Sequence, residues 1–275
     1  MSRTTSRRNH NTKMTSFAPN GEPYSPTNPP DRTPKGLPFW NMHIPPQLHT
    51  DECPSYLTYA YKDHRDRGAL LTPDAEYKRK TWPEIRAMIA ANQLDRFRRV
   101  PSQLRQYRAW VSQIVRENGS IMKFVMRERL RWTDLTPSGA KPFANPDDYK
   151  ILYNDWPYGI DEKIVHLVIW TKFELEAEPI TDEKPTGDLT DEARKGIEEF
   201  VDTTFRKKCG NENVVWFKNW SALKSVHAVE HLHVMLYDPD PEFVKEVTDG
   251  DVPMMEKVGV PGGIGSADSG VDLLK

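Results

Sequence analysis

A chain of 275 residues has room for one large domain or two small ones, and it can bury a substantial core. With 37% hydrophobic residues and 23 prolines, part of it must stay outside that core. The net charge of −2 makes no global electrostatic case for nucleic acid or a membrane surface, and two cysteines in unrelated contexts, Cys53 and Cys209, spell neither a disulfide framework nor a CxxC pair. No run approaches the ~18 consecutive apolar residues of a membrane span, and no apolar signal-peptide core follows Met1. These features point to a soluble protein of a reducing compartment, expected in the cytoplasm or in cytoplasm and nucleus.

Residues 1–36 are Ser, Thr, Asn, Arg and Pro without any hydrophobic period, and no acidic residue precedes Glu22. Such a stretch cannot offset the entropy of ordering, so it is expected to be a disordered tail. Its basic start lacks the amphipathic face of a mitochondrial presequence. Residues 37–80 remain rich in Pro and aromatics (Phe39, Trp40, Tyr56, Tyr59, Tyr61) and read as an extended arm with little regular structure.

One α+β domain is expected over 81–247, with a helical part at 81–132. Thr81-Trp-Pro-Glu84 is a capping box with proline in the first turn, followed by the apolar face of Ile85, Met88 and Ile89. Pro101-Ser102 opens a second helix carrying Leu104, Tyr107, Trp110, Val111, Ile114 and Val115, which stops at Asn118-Gly119. Ser120 caps a third, running to Trp132. Between residues 95 and 131 ten Lys/Arg face three Asp/Glu. That imbalance is either a solvated helical face or a basic wall beside a phosphorylated ligand. No nucleic-acid reader motif accompanies it.

The remainder, 149–247, reads as a sheet crossed by one helix. Tyr149–Tyr153 and Ile164–Trp170 are strands joined through the turn Asn154-Asp-Trp-Pro157-Tyr-Gly159. Thr190 caps a helix from Asp191 to about Lys208 with Ile197, Phe200, Val201 and Phe205 inward, ending at Gly210. Val214–Phe217 is a third strand and His231-Leu-His233-Val-Met235-Leu236 a fourth. Period two sends His231, His233 and Met235 to one face and Leu232, Val234 and Leu236 to the other. Asp240–Val247 suggests a short helix, and 248–275 a flexible Gly-rich tail.

Histidines at alternate strand positions on a rigid element suit a nucleophile, an acid/base pair or a metal site. The plainer alternative is that they are ordinary strand histidines. The spacing His227-x3-His231-x-His233 is compatible with zinc, but no cysteine or second cluster lies near, so no metal and no cofactor are expected.

Two resemblances add to this. Trp82-Pro-Glu-Ile85, Arg99-x-Pro-Ser102 with Tyr107 and Trp110, Arg129-Leu-x-Trp132, Asn154-Asp-Trp-Pro-Tyr158, Val165-His-Leu-Val-Ile-Trp-Thr-Lys172 and the histidine strand resemble the fungal N-acetylglucosamine-induced protein family over about residues 80–238. That family implies an amino-sugar response and no particular chemistry. Over about 149–237, the order strand, Asn154-x-x-Pro157, strand with His166, helix, strand, Asn219, Ser225, His-x-His looks like the histidine-triad superfamily of nucleotide hydrolases and transferases. The likeness implies His231 as nucleophile on a nucleotide phosphate and His233 as the last histidine. It places Asn154 near a ribose, and Asn219 and Ser225 on a phosphate loop. Val229 stands where the first histidine would be, and His227 substitutes for it only if the loop bulges. Glu230 adds a carboxylate beside the nucleophile, Asp161-Glu-Lys163 replaces the usual glycine, and no Pro-Arg follows His233. The expected ligand is a phosphorylated small molecule, with no membrane and no specific nucleic-acid partner. The expected activity is phosphohydrolase or transferase, the alternative a non-catalytic binding or regulatory protein on the same fold.

Overall fold

The computed structural model describes residues 29–178, 189–219 and 229–258, and divides into one unit ending at Pro73 and a second beginning at Asp74.

In the first unit, residues 29–36 are ordered where a tail was expected. The Phe39 amide donates to Asp31 O, a turn closes through Gly36 at φ 84°, and the Asp31 carboxylate lies 3.4 Å from Arg67. Turn hydrogen bonds and a buried ion pair hold this segment, and neither needs a hydrophobic period. The stretch read as an extended arm contains helix α1 (His64–Leu71), whose first turn is capped by the Asp63 carboxylate accepting from the Arg65 and Asp66 amides. Gly68 and a single deeply buried Leu70 leave this short helix no apolar stripe to read. Phe39 is the local core, meeting the ring edges of Trp40 and Tyr61 at 5.2 and 5.4 Å.

The second unit is the expected α+β architecture. Helix α2 (Trp82–Ala90) starts at the capping box, with the Thr81 amide donating to Glu84 Oε2 at 2.9 Å. Helix α3 (Pro101–Asn118) ends on left-handed Gly119, φ 80°. Helix α4 (Ile121–Phe124), capped by Ser120, continues as a π-helical turn, Val125–Leu130. The strands are β1 (Tyr149–Tyr153), β2 (Ile164–Thr171), β3 (Val214–Phe217) and β4 (Glu230–Tyr237), all antiparallel in the order β1-β2-β4-β3. Between β2 and β3 lies α5 (Asp191–Val201), extended by a π-helical turn, Asp202–Arg206, and by α6 (Lys207–Cys209) before Gly210. Helix α7 (Pro241–Val247) is capped by Asp240. No helix among the described residues is long and apolar enough to cross a membrane.

Strand alternation assigns the two faces of the sheet. Leu167, Ile169, Leu232, Val234 and Leu236 bury against Ile197, Phe200, Val201 and Phe205 of the crossing helix. On the other face two apolar clusters form. Trp82, Ile85 and Met88 cover Ile164, Phe217 and Met235 at one end, while Trp110, Ile114, Phe124 and Leu130 cover Leu152, Trp156 and Val229 at the other. The histidines lie on this second face. Register sets His166 opposite Met235, Val168 opposite His233, and Trp170 opposite His231.

Residues 248–258 are not a flexible tail. Thr248 is buried, Met254–Lys257 forms helix α8, and Asp251 receives both terminal nitrogens of Arg129 at 2.7 Å. Arg129 also donates through Nε to Asp155, and the Tyr153 amide donates to Asp251 at 3.0 Å. A Gly- and charge-rich sequence hides this because one bidentate ion pair, not a stripe, fixes the segment. Removing one partner of a buried pair leaves a stranded charge, so Asp251→Ala should cost about 3–5 kcal/mol in denaturant unfolding. A loss under ~0.5 kcal/mol would show the segment to be dispensable. Trp110, packed edge-on against Phe124 at 5.3 Å, should cost about 3–5 kcal/mol on truncation to Ala. A fully stable W110A would instead mark its stripe as a docking surface.

Candidate functional site

Three imidazoles meet on the second face: His166 from β2, and His231 and His233 from β4. All are buried, at 3%, 3% and 5% exposure. His166 Nε2 lies 3.0 Å from His233 Nδ1, and His233 Nε2 lies 3.1 Å from the Asn219 amide nitrogen just beyond β3. Both nitrogens of His233 are therefore engaged. With Asn219 donating to Nε2, the His233 proton sits on Nδ1 and is given to His166 Nε2. Asn219 Oδ1, at the same time, is buried and has no partner among the described residues. Turning the amide over would only exchange the orphan, so one polar atom of Asn219 stays unsatisfied either way.

His231 is held differently. Its Nδ1–H donates to Val229 O at 2.9 Å, which fixes the tautomer and puts the lone pair on Nε2. Its ring tilts against Trp170 at 4.6 Å and meets the edge of His233 at 5.6 Å. Glu230 points to the opposite face of the strand, where it pairs with Lys218 at 2.8 Å, so it is no neighbour of the His231 ring. Val229 is buried in the apolar cluster with Trp110 and Leu152 and offers no polar group.

Asn154 reaches the same place from the turn after β1. Its Oδ1 accepts from the Trp156 amide at 3.1 Å, and its nitrogen sits 3.3–3.4 Å from both ring nitrogens of His166. Asn154, Asn219, His231 and His233 thus converge, although 79 positions of sequence separate Asn154 from His233. Ser225 and His227 lie outside the described residues. Among the described residues no three His, Cys, Asp or Glu side chains are grouped to hold a metal ion.

Two contributors, His166 and Arg99, are read from the sequence only as motif residues of the resemblances and not as members of the site. His166 sits inside the apolar run Ile-Val-His-Leu-Val-Ile, and a lone polar residue on the buried face of such a strand was the available signal. Arg99 comes from the basic run. Its Nε donates to Trp156 O at 3.0 Å, and its guanidinium lies 3.9 Å over the Tyr107 ring and 5.7 Å from that of Tyr158. Stacked rings of Tyr158, Phe97, Phe217 and His233 complete the wall. The basic run itself divides. Arg96, Arg116, Lys123, Arg127 and Arg131 are exposed, while Arg105 and Arg129 are buried.

The electrostatics keep His166 and His233 neutral. Burial, aided by the Arg99 charge, lowers the His166 pKa to about 3. His233 is held well below the ordinary histidine value by burial, then by His166, His231 and Arg99. An unfolded histidine takes up its proton near ~6.5, whereas folded His166 does so only near 3, so between these values the unfolded state binds more protons. The stabilising contribution is therefore complete above pH ~6.5 and is lost as pH falls toward 3. Urea unfolding should show stability declining across that window by up to ~1.4 kcal/mol per pH unit per histidine. His166→Gln should flatten the slope, and a wild-type stability indifferent to pH there would contradict a buried neutral pair.

Comparison with known proteins places this geometry. The chain is 30% identical over 216 residues to "N-acetylglucosamine-induced protein 1" of Candida albicans, covering 71% of this chain and 84% of that protein. It is 27% identical over 171 residues to an uncharacterized protein of Saccharomyces cerevisiae, covering 60% of this chain and 82% of the relative. The solved structure "Crystal Structure of HTC1" is 26% identical, with a TM-score of 0.48 over 62% of this chain and 94% of its own. The family described as "Protein of unknown function (DUF3605)" matches residues 81–237, which span α2 through β4 and include Arg99, Asn154, His166, Asn219, His231 and His233. The chain belongs to this DUF3605 family, that of N-acetylglucosamine-induced protein 1.

Proposed function

We propose that the histidine site takes a phosphorylated small molecule of nucleotide or nucleotide-sugar type and that His231 Nε2 attacks its phosphorus. The observation that carries this reading is the hydrogen bond from His231 Nδ1 to Val229 O, which fixes the tautomer and puts the basic lone pair on Nε2. An N–P bond would form as the bond from phosphorus to the leaving oxygen breaks. Water or an acceptor hydroxyl would then take the phosphoryl or nucleotidyl group from the imidazole and restore it. His233, with both nitrogens occupied, acts as a positioning residue that ties β4 to His166 and Asn219. Asn154 and Asn219 border the ligand, and Asn219 supplies an unsatisfied polar atom for a ligand hydroxyl or amide. The resemblance to the histidine-triad superfamily supports His231 as the nucleophile, while the phosphate-holding role it implies for the last histidine does not fit His233, whose two nitrogens are engaged. The protein acts in the cytoplasm, or in cytoplasm and nucleus.

A second reading, ligand binding or regulation without turnover, is favoured by Val229. Its burial among apolar side chains leaves the first position of a triad without a proton donor for the leaving group. The name of the Candida albicans relative refers to induction by N-acetylglucosamine, so we extend an amino-sugar link to this chain and include an N-acetylglucosamine nucleotide among the compounds to be tried.

Purified chain should be incubated with dinucleotides and nucleotide-sugars while phosphorus-containing products are followed. His231→Ala should abolish turnover yet keep ligand affinity within about tenfold, because truncation removes the covalent step and spares most contacts. Turnover that survives His231→Ala would end the nucleophile reading, and wild-type binding without turnover would establish the second one.

A further inference from the structure

We infer that Arg99 is the anion-recognition residue of this site, its guanidinium held over Tyr107 to receive a phosphate or diphosphate group of the ligand. The inference deepens the reading above by naming the side chain that meets the phosphate, and it holds for a binding protein as well as for an enzyme.

The argument starts from what Arg99 lacks. Two other arginines of the basic run are engaged: Arg129 spends its fork on Asp155 and Asp251, and Arg98 donates through Nη1 to the Asp95 and Phe97 carbonyls. Arg99 is half-buried and uses only Nε, toward Trp156 O. Among the described residues neither of its terminal nitrogens has an acceptor, and no carboxylate pairs with it. None of its nitrogens is among the buried, unpartnered ones, so the fork opens toward solvent, where an anion can meet it. Its position is nonetheless fixed. The Trp156 carbonyl sets one edge, and Tyr107 at 3.9 Å and Tyr158 at 5.7 Å hold the plane by cation–π attraction.

A planar fork, pre-oriented and unspent, matches two oxygens of one phosphate. Its surroundings favour the same ligand. The Tyr158 ring that Arg99 approaches lies 5.2 Å from the His166 ring, and the charge of Arg99 is felt by both His166 and His233. Burial and this charge keep both imidazoles neutral, so the fixed charge beside them is cationic, with the Arg108 guanidinium 5.8 Å from the same Tyr107 ring. Asn219, 4% exposed, carries one polar atom that has no partner among the described residues, an independent polar group on the same wall. The N-terminus of α3 is not the anion site, because the Ser102 amide is already given to Asp74 at 3.0 Å.

Isothermal titration of the full chain with inorganic pyrophosphate tests this, with acetate as the carboxylate control. Arg99→Gln should weaken pyrophosphate binding by about tenfold or more, since a charge-assisted hydrogen bond is lost, and Arg99→Lys should recover only part of it. Arg116→Gln, at an exposed position of the same run, should bind as wild type does. In the unmodified chain, which needs no substitution to fold, pyrophosphate should slow phenylglyoxal modification at Arg99. Wild-type chain that binds no pyrophosphate, Arg99→Gln that binds it unchanged, or modification that ignores it would each overturn the assignment. Equal binding of acetate would overturn the choice of phosphate. Loss of turnover in His231→Ala with Arg99-independent binding leaves the nucleophile standing and removes Arg99. Arg99-dependent binding with no turnover does the reverse.

Discussion

The site depends on one contact, the hydrogen bond between His166 and His233 across the central strand pair. It joins side chains from β2 and β4 on the face that two apolar clusters close at either end. Imidazoles buried in that setting have to be neutral and have to satisfy one another, and Asn219 and Asn154 extend the satisfaction outward in both directions. Because the chain of contacts is one residue wide, moving any member displaces the rest. His231 stands beside it on a separate tether to its own strand, so its orientation does not share that dependence.

Neutral imidazoles beside a permanent cation form a deliberate division of labour. The guanidinium cannot give up its proton at any ordinary pH, and it discourages the rings from acquiring one. Under the proposed function, nucleophilicity and charge neutralisation would fall to different side chains, drawn from the sheet and from the segment leading into α3. Two clusters of the second face are needed for this, since one supplies Phe97 and Phe217 and the other Trp156 and the Tyr107 flank.

Much of the fold was legible because its signals are local. Thr81, Ser120, Thr190 and Asp240 each cap the helix that their sequence context announces, and Gly119 and Gly210 end theirs. Period-two alternation around His231 correctly separated the helix-facing aliphatics from the imidazoles. What failed was long-range and polar. Arg129 and Asp251 are 122 residues apart, and nothing near either one marks it as half of an ion pair. The disordered tail and the flexible C-terminus were drawn too wide for the same reason, since turn hydrogen bonds and single salt bridges leave no periodic trace. His166 could have been singled out as the polar member of an apolar strand. Arg99 could not, because ten basic residues compete in that run and only packing tells the buried from the solvated.

The C-terminal clamp has a consequence for the order of events in synthesis. Asn154 lies between Tyr153, whose amide donates to Asp251, and Asp155, whose side chain and carbonyl accept from the Met254 and Met255 amides. The turn that presents Asn154 to His166 is therefore pinned on both sides by residues made about a hundred positions later. A nascent chain that has already paired β1 with β2 still has this turn unfastened, and β4 with two of the three imidazoles follows before the clamp arrives. The turn that presents Asn154 is thus fastened only once residues 251–255 have been made and released to fold.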